Sequence, residues 1–258
     1  MRFDLFFIDL DGVVFLGEKL ISGAKEAIKK LEMRKKKVIF LTNNSTLSRE
    51  GYARKFAKFG IDVKPSQIIT SGYATAAYLK EKCPEAKVFV VGETGLREEL
   101  NAAKLKIVKN ARQATHVVVG LDRKLTYRKL AEATSALLSG AEIVATNADP
   151  TYPTDRGLAP GAGAIVAALS ASSGKKPEIV GKPSTFMLEL GLKMTKVPKE
   201  KAVIVGDRQD VDVVVGKAAG LSTVLVLTGV TKEISQTLPQ PDFVFNSLRE
   251  VVDDASFA

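Results

Sequence analysis

The sequence predicts an α/β fold built on a parallel sheet, and three observations predict it. Short apolar runs alternate with longer stretches of helical periodicity. Most of the runs are apolar on both faces, as strands buried between two helix layers are. Residues that cap or stop helices stand near the ends of the helical stretches. In chain order, residues 5–9, 38–42, 88–91, 116–120, 143–146, 202–205 and 223–227 read as strands. Residues 24–32, 49–59, 93–103, 127–139, 164–172, 185–194 and 210–219 read as helices. Ser48, Thr94 and Thr126 are expected as N-caps, and Gly60 and Gly220 as stops. Such alternation implies right-handed crossovers and ligand binding at the carboxyl ends of the strands.

Composition narrows the chemistry. The 258 residues carry 38 Lys and Arg against 29 Asp and Glu, a formal net charge of +9, with one cysteine and one histidine. The lone Cys83 excludes an intramolecular disulfide and any zinc site built on several cysteines. The lone His116 excludes two-histidine metal motifs, and any triad would have to use it. A hydrolase made from this chain is therefore expected to work with carboxylates. The positive charge invites a nucleic-acid reading, but the bases are spread and no recognition motif accompanies them. The basic run 34–37 follows a helical stretch, where cations complement the helix dipole. Asp4, Asp9 and Asp11 break the apolar amino-terminal run, which makes it a poor secretory signal. The longest small and apolar stretch, 157–171, holds Pro160 and three glycines and is too short to span a bilayer. A cytoplasmic protein with no membrane and no nucleic-acid partner is expected.

Four groups of residues follow strand ends. Asp9 and Asp11 stand two apart in an extended segment, so both side chains look into one site, and Gly12 lets the backbone turn. Neighbouring carboxylates repel, and Mg²⁺, which takes hard oxygen ligands, is the usual remedy. A turn built on Asp-Gly is the competing reading. Thr42, Asn43 and Ser45 end the second strand with groups that suit phosphate oxygens or, alternatively, a helix cap. Lys182, fixed between Gly181 and Pro183, offers a cation, and its competing reading is an ordinary surface lysine. Asp207, Asp210 and Asp212 follow the strand at 202–205, where acids also favour a helix's first turn.

In this order the groups resemble the four motifs of the haloacid dehalogenase (HAD) superfamily of phosphohydrolases. DLDGV from Asp9 resembles the first, Thr42 in LTNNS the second, Lys182 in GKP the third and GDRQDVD from Gly206 the fourth. Residues 14–21 resemble that family's flap. About 140 residues separate Thr42 from Lys182, while one or two βα steps need only roughly 30–60. The excess is enough for a domain, and an insertion there resembles the C2-type cap of the NagD-like, p-nitrophenyl phosphatase-like branch. ITSG at 69–72, ATNADP at 145–150, PGAGA at 160–164 and VLTGV at 226–230 resemble the same branch. Gln209 and Val211 depart from the branch's GDRLxTD, and Ala148 stands where it often has proline.

The resemblance implies a discontinuous core of residues 1–78 and 179–258 and a cap of residues 79–178. It implies Asp9 as nucleophile, Asp11 as general acid and base, and Thr42 and Lys182 as further catalytic residues. Mg²⁺ would lie among Asp9, the backbone carbonyl of Asp11, Asp207 and Asp212. Thr42, Asn43 and Lys182 would hold the phosphoryl group of a small phosphorylated substrate. Asn147, Asp149 and Thr151 are the cap candidates for substrate recognition, each with turn chemistry as its alternative, and Asp122 ranks behind them. Gly161 and Gly163 are expected to serve tight packing at a helix start, while Cys83 and His116 are structural. Two rival activities remain open. A phosphotransferase or phosphomutase would share every motif, and a non-catalytic phosphate-ligand-binding protein would keep the site without turnover. A homodimer stands open beside a monomer.

Overall fold

The computed structural model describes residues 3–154, 157–255 and 257. Its chain divides into two compact units. The first comprises 1–42, 56–69 and 182–258, and the second 43–55 and 70–181. Residues 43–55, 70–78 and 179–181, which the sequence assigns to the core, fall here in the second unit.

The first unit is built on a six-stranded sheet. Its strands run in the order Phe243–Phe245, Ser222–Val226, Ala202–Gly206, Leu5–Asp9, Lys37–Thr42 and Ile68–Thr70. Leu5–Asp9 pairs in parallel with both Ala202–Gly206 and Lys37–Thr42. These three strands are almost wholly buried, which is why their sequences are continuous apolar runs. Their adjacency brings Asp9, Thr42 and Asp207 to neighbouring carboxyl ends, although the chain separates them widely. Phe15, Phe40 and Phe56 form one aromatic cluster of the core, with ring centroids 4.7–5.1 Å apart. Strands Phe15–Leu16 and Lys19–Leu20 form a short antiparallel hairpin within the expected flap.

The second unit holds a five-stranded parallel sheet in the order Glu178–Ile179, Glu142–Ala145, His116–Val119, Lys87–Val91 and Lys106–Ile107. Val117, Val119, Ile143 and Ala145 from this sheet join Ala133, Leu137, Ile165 and Leu169 from two helices in one core. A hairpin, Thr151–Thr154 with Gly157–Pro160, follows the strand at 142–145. The α/β class is thus present twice.

Most expected elements appear within one or two residues of their predicted bounds. Ser48 and Thr126 cap their helices by accepting the backbone N–H of Gly51 and Lys129. Thr94 does not: Glu93 precedes that helix and no side-chain cap bond forms. Gly60 and Gly220 take left-handed conformations at φ 67° and 72°, where a Cβ would be strained. The basic run is tied down structurally. Arg34 donates to the Val252 carbonyl, Lys36 to Asp4 and Lys37 to the Thr195 carbonyl. The helix expected at 210–219 begins as a π-turn, Gln209–Val213, and continues as Val214–Ala219. No helix among the described residues is long and apolar enough to cross a membrane.

Candidate active site

In the first unit the carboxyl ends of two adjacent strands and the loop residue Lys182 bring four buried charges together. Asp9 closes its strand at 6% exposure, and Asp207 and Asp212, at 2% each, follow the strand Ala202–Gly206. Lys182, 3% exposed, donates to Asp9 and, at 2.6 Å, to Asp212. Oxygens of Asp9, Asp207 and Asp212 all lie within 4.8 Å of one another. Asp11 is less buried, and its carboxylate is not part of this group among the described residues. Instead it accepts the Thr42 hydroxyl at 3.1 Å.

The surrounding backbone explains how these acids are held. Gly12 has φ 89°, and a Cβ at Gly12 or Gly229 would collide with the Asp207 carboxylate. Asp207 accepts the Val230 N–H at 2.6 Å, and Thr228 donates to the Gly12 carbonyl at 2.5 Å. Asp212 accepts the Arg208 N–H at 3.1 Å and donates its own N–H to the Arg208 carbonyl at 2.8 Å within the π-turn. Asp210, the third acid of that run, pairs outward with Arg208 and serves the turn. Gln209 is buried and grips the 235–239 segment, donating to the Ser235 and Pro239 carbonyls and accepting the Ser235 N–H. The departure from the branch's leucine is thus a packing difference.

The electrostatics follow from burial. Burial pushes the Asp9 carboxyl well above the usual carboxylate range; Asp212, Asp207 and Asp11 push the same way, and Lys182 opposes them. Asp207 is pushed up to about 7, by burial first and Asp212 second, against the Val230 N–H and Lys182. Burial alone would lower the Lys182 pKa, but Asp212 and Asp9 outweigh it and hold it raised. Three buried carboxylates facing one lysine form an oxygen donor set with surplus negative charge. Such a set fits a hard divalent cation.

The other predicted residues fall in the second unit. Asn43 and Asn147 both donate to Oδ2 of Asp149, at 2.8 and 2.7 Å. Thr151 is exposed and starts the hairpin, opposite Pro160. Asp122 is ion-paired with Lys129 at 2.6 Å and holds a loop. Gly161 and Gly163 do serve tight packing, since a Cβ on either would collide with the Asp149 or Ala148 carbonyl. His116 starts its strand and meets Thr115 at 2.9 Å, and Cys83 ends a helix. Sequence reasoning gave no role to Thr228, Gly229, Val230 or Ser71. The VLTGV and ITSG segments flagged their neighbourhoods, but backbone donors and glycine clearances have no side-chain signature.

Residues 6–106 match the haloacid dehalogenase-like hydrolase family, and residues 179–251 match a second HAD-hydrolase-like family. An acid sugar phosphatase from Staphylococcus aureus is 36% identical over 253 residues, 97% of each chain. The p-nitrophenyl phosphatase from Archaeoglobus fulgidus superposes with a TM-score of 0.92 at 40% identity, over 98% of this chain and 99% of that one. The 4-nitrophenylphosphatase from Thermotoga maritima gives 0.92 at 36% identity, over 98% and 97%. With the acids of the first and fourth motifs and the lysine of the third gathered at one sheet edge, the chain belongs to the haloacid dehalogenase-like hydrolases, in their NagD- and p-nitrophenyl phosphatase-like branch.

Proposed function

We infer that this enzyme is a Mg²⁺-dependent phosphomonoester hydrolase acting on small phosphorylated metabolites, sugar phosphates first among them. The cluster of Asp9, Asp207 and Asp212, with Lys182 bonded to Asp9 and Asp212, carries the reading. The S. aureus and A. fulgidus relatives, an acid sugar phosphatase and a p-nitrophenyl phosphatase by name, support the substrate class. Nucleotides and phosphoglycolate-like compounds belong to the same panel.

The residues divide the work as follows. An Asp9 oxygen attacks phosphorus, forming the aspartyl-phosphate bond as the bond to the leaving oxygen breaks. Asp11 gives that oxygen its proton, then takes one from the water that attacks phosphorus in the second step, releasing phosphate and restoring Asp9. The Thr42 hydroxyl orients the Asp11 carboxylate. Lys182 and Asn43 hold phosphoryl oxygens. Asp207 and Asp212, with Asp9 and the Asp11 carbonyl, would hold the cation. Bound Mg²⁺ supplies the positive charge that keeps these acids ionised together and draws charge from the phosphoryl oxygens. Water as acceptor separates this reading from a phosphotransferase. The positive net charge favours anionic substrates in the cytoplasm.

The test is a panel of phosphomonoesters assayed with and without Mg²⁺, for wild type and Asp9→Asn. Phosphate release that needs Mg²⁺ and disappears in Asp9→Asn is the expected result. A variant that hydrolyses as fast as wild type, or a rate untouched by chelation, removes the reading.

A further inference from the structure

Two of the residues named above as cap candidates for substrate recognition, Asn147 and Asp149, are joined by hydrogen bonds to each other, and Asp149 also bonds Asn43. Oδ2 of Asp149 accepts the side-chain amides of both Asn43 and Asn147. The Asn147 side-chain amide oxygen Oδ1 accepts the Thr146 hydroxyl at 2.9 Å. The Asn43 backbone carbonyl accepts the Ser71 hydroxyl at 2.6 Å. Gly181 lies so close to the Asn43 amide oxygen and the Thr146 carbonyl that it has no room for a Cβ, and its N–H bonds that carbonyl at 2.9 Å. The loop is anchored from behind, where Gly163 N–H bonds the Asp149 carbonyl at 2.9 Å and tolerates no side chain against Ala148.

A carboxylate only accepts hydrogen bonds, whereas a carboxamide has a donor end and an acceptor end of the same shape. Asp149 therefore decides which end of Asn43 faces it: nitrogen toward Asp149, oxygen toward Gly181. Asn43 follows Thr42 directly in the chain, and Gly181 precedes Lys182. We propose that Asp149 is a positioning residue that acts through Asn43, fixing its carboxamide and backbone for the phosphoryl group rather than reading the leaving group. This rests on the reading that Asn43 binds phosphate.

A residue acting on the phosphoryl group weakens every ester, and phosphate itself, by one factor. A leaving-group reader would discriminate among esters and ignore phosphate. Asp149→Ala is expected to lower kcat/KM on the order of 10- to 100-fold, by the same factor for aryl, sugar and glycerol phosphates. Binding of inorganic phosphate with Mg²⁺, measured by calorimetry, is expected to weaken by a matching factor. In the Asn43→Ala background, Asp149→Ala is expected to add less than twofold. Asp149→Asn keeps the shape and should fall between, and thermal melts check that each variant is folded. Unchanged phosphate binding, losses that vary with the leaving group, or multiplying effects in the double variant would overturn the proposal. Phosphate binding needs no turnover, so the result stands apart from the hydrolysis test: a wild type that binds phosphate but hydrolyses nothing defeats the hydrolase reading alone.

Discussion

The two units share a parallel α/β architecture and differ in what they place after their strands. After the strands of the six-stranded sheet stand three carboxylates and a lysine, all buried, with Asp9 and Asp207 raised by burial and mutual repulsion. After those of the five-stranded sheet stand acids that are already matched. Glu93 holds Arg123 at 2.7 Å and Asp122 holds Lys129 at 2.6 Å. The Arg123 hydrogen bond, outweighing partial burial, keeps Glu93 below the usual carboxylate range. Asp149 is satisfied by two neutral amides. The same scaffold thus carries an under-neutralised centre in one unit and a saturated one in the other. Surplus buried charge makes a place for a cation and a phosphoryl group; matched charge makes a rigid loop.

The comparison can be broken most directly at Lys182. Lys182→Met removes the buried lysine of the charged centre, and kcat/KM is expected to fall about 10²–10³-fold, the loss typical of a fixed electrostatic group. A fall of less than threefold would mean that the centre does not depend on it. Next comes the cation itself. Mg²⁺ at about 100 times its dissociation constant should stabilise the unit that binds it by about 2.7 kcal/mol. Hydrogen exchange reads this by region: protection should rise in strands 5–9 and 202–206 and stay unchanged in 88–91 and 116–119. Equal protection in both sheets would contradict the contrast. A smaller effect is expected from Thr126→Ala in the second unit. It removes the cap on Lys129 N–H and should cost about 1 kcal/mol. That loss should lower the melting temperature of the second unit without altering kcat.

The smallest effect is a pH dependence from His116. Burial lowers its pKa below the ordinary 6.5, with Glu142 opposing. The folded state therefore binds the proton less tightly than the unfolded chain. This contribution is complete above about pH 6.5 and is lost as pH falls through the lower folded value. The imidazole resonances of the chain's one histidine should titrate below 6.5. Melts between pH 5 and 8 should lose part of their slope in His116→Gln.

What was legible in the sequence divides along physical lines. Buried parallel strands such as 5–9 and 202–206 are continuous apolar runs, so they could be read directly. The acids stood out because carboxylates at strand ends are chemically conspicuous. The helix Ser71–Lys82 was not read, since small residues and two tyrosines give it no clear apolar stripe. Edge strands of two or three residues, Lys106–Ile107, Glu178–Ile179 and Phe243–Phe245, are too short to show a period. The hairpin at 151–160 is largely exposed and carries no buried-strand pattern. The grip of Asp149 on Asn43 spans 106 positions and depends on tertiary contact alone.

The π-turn at Gln209–Val213 has a consequence for how this protein tolerates change in length. Asp212 reaches the centre because a widened turn carries it there from Arg208, with Gly206 leaving room for its side chain. Removing one residue between Asp207 and Asp212 would turn the second acid away from the first while leaving the strand and the following helix intact. Substitutions inside this segment are therefore absorbed, as Gln209 and Val211 illustrate, whereas a single deletion should cost the enzyme its second acid without costing it the fold.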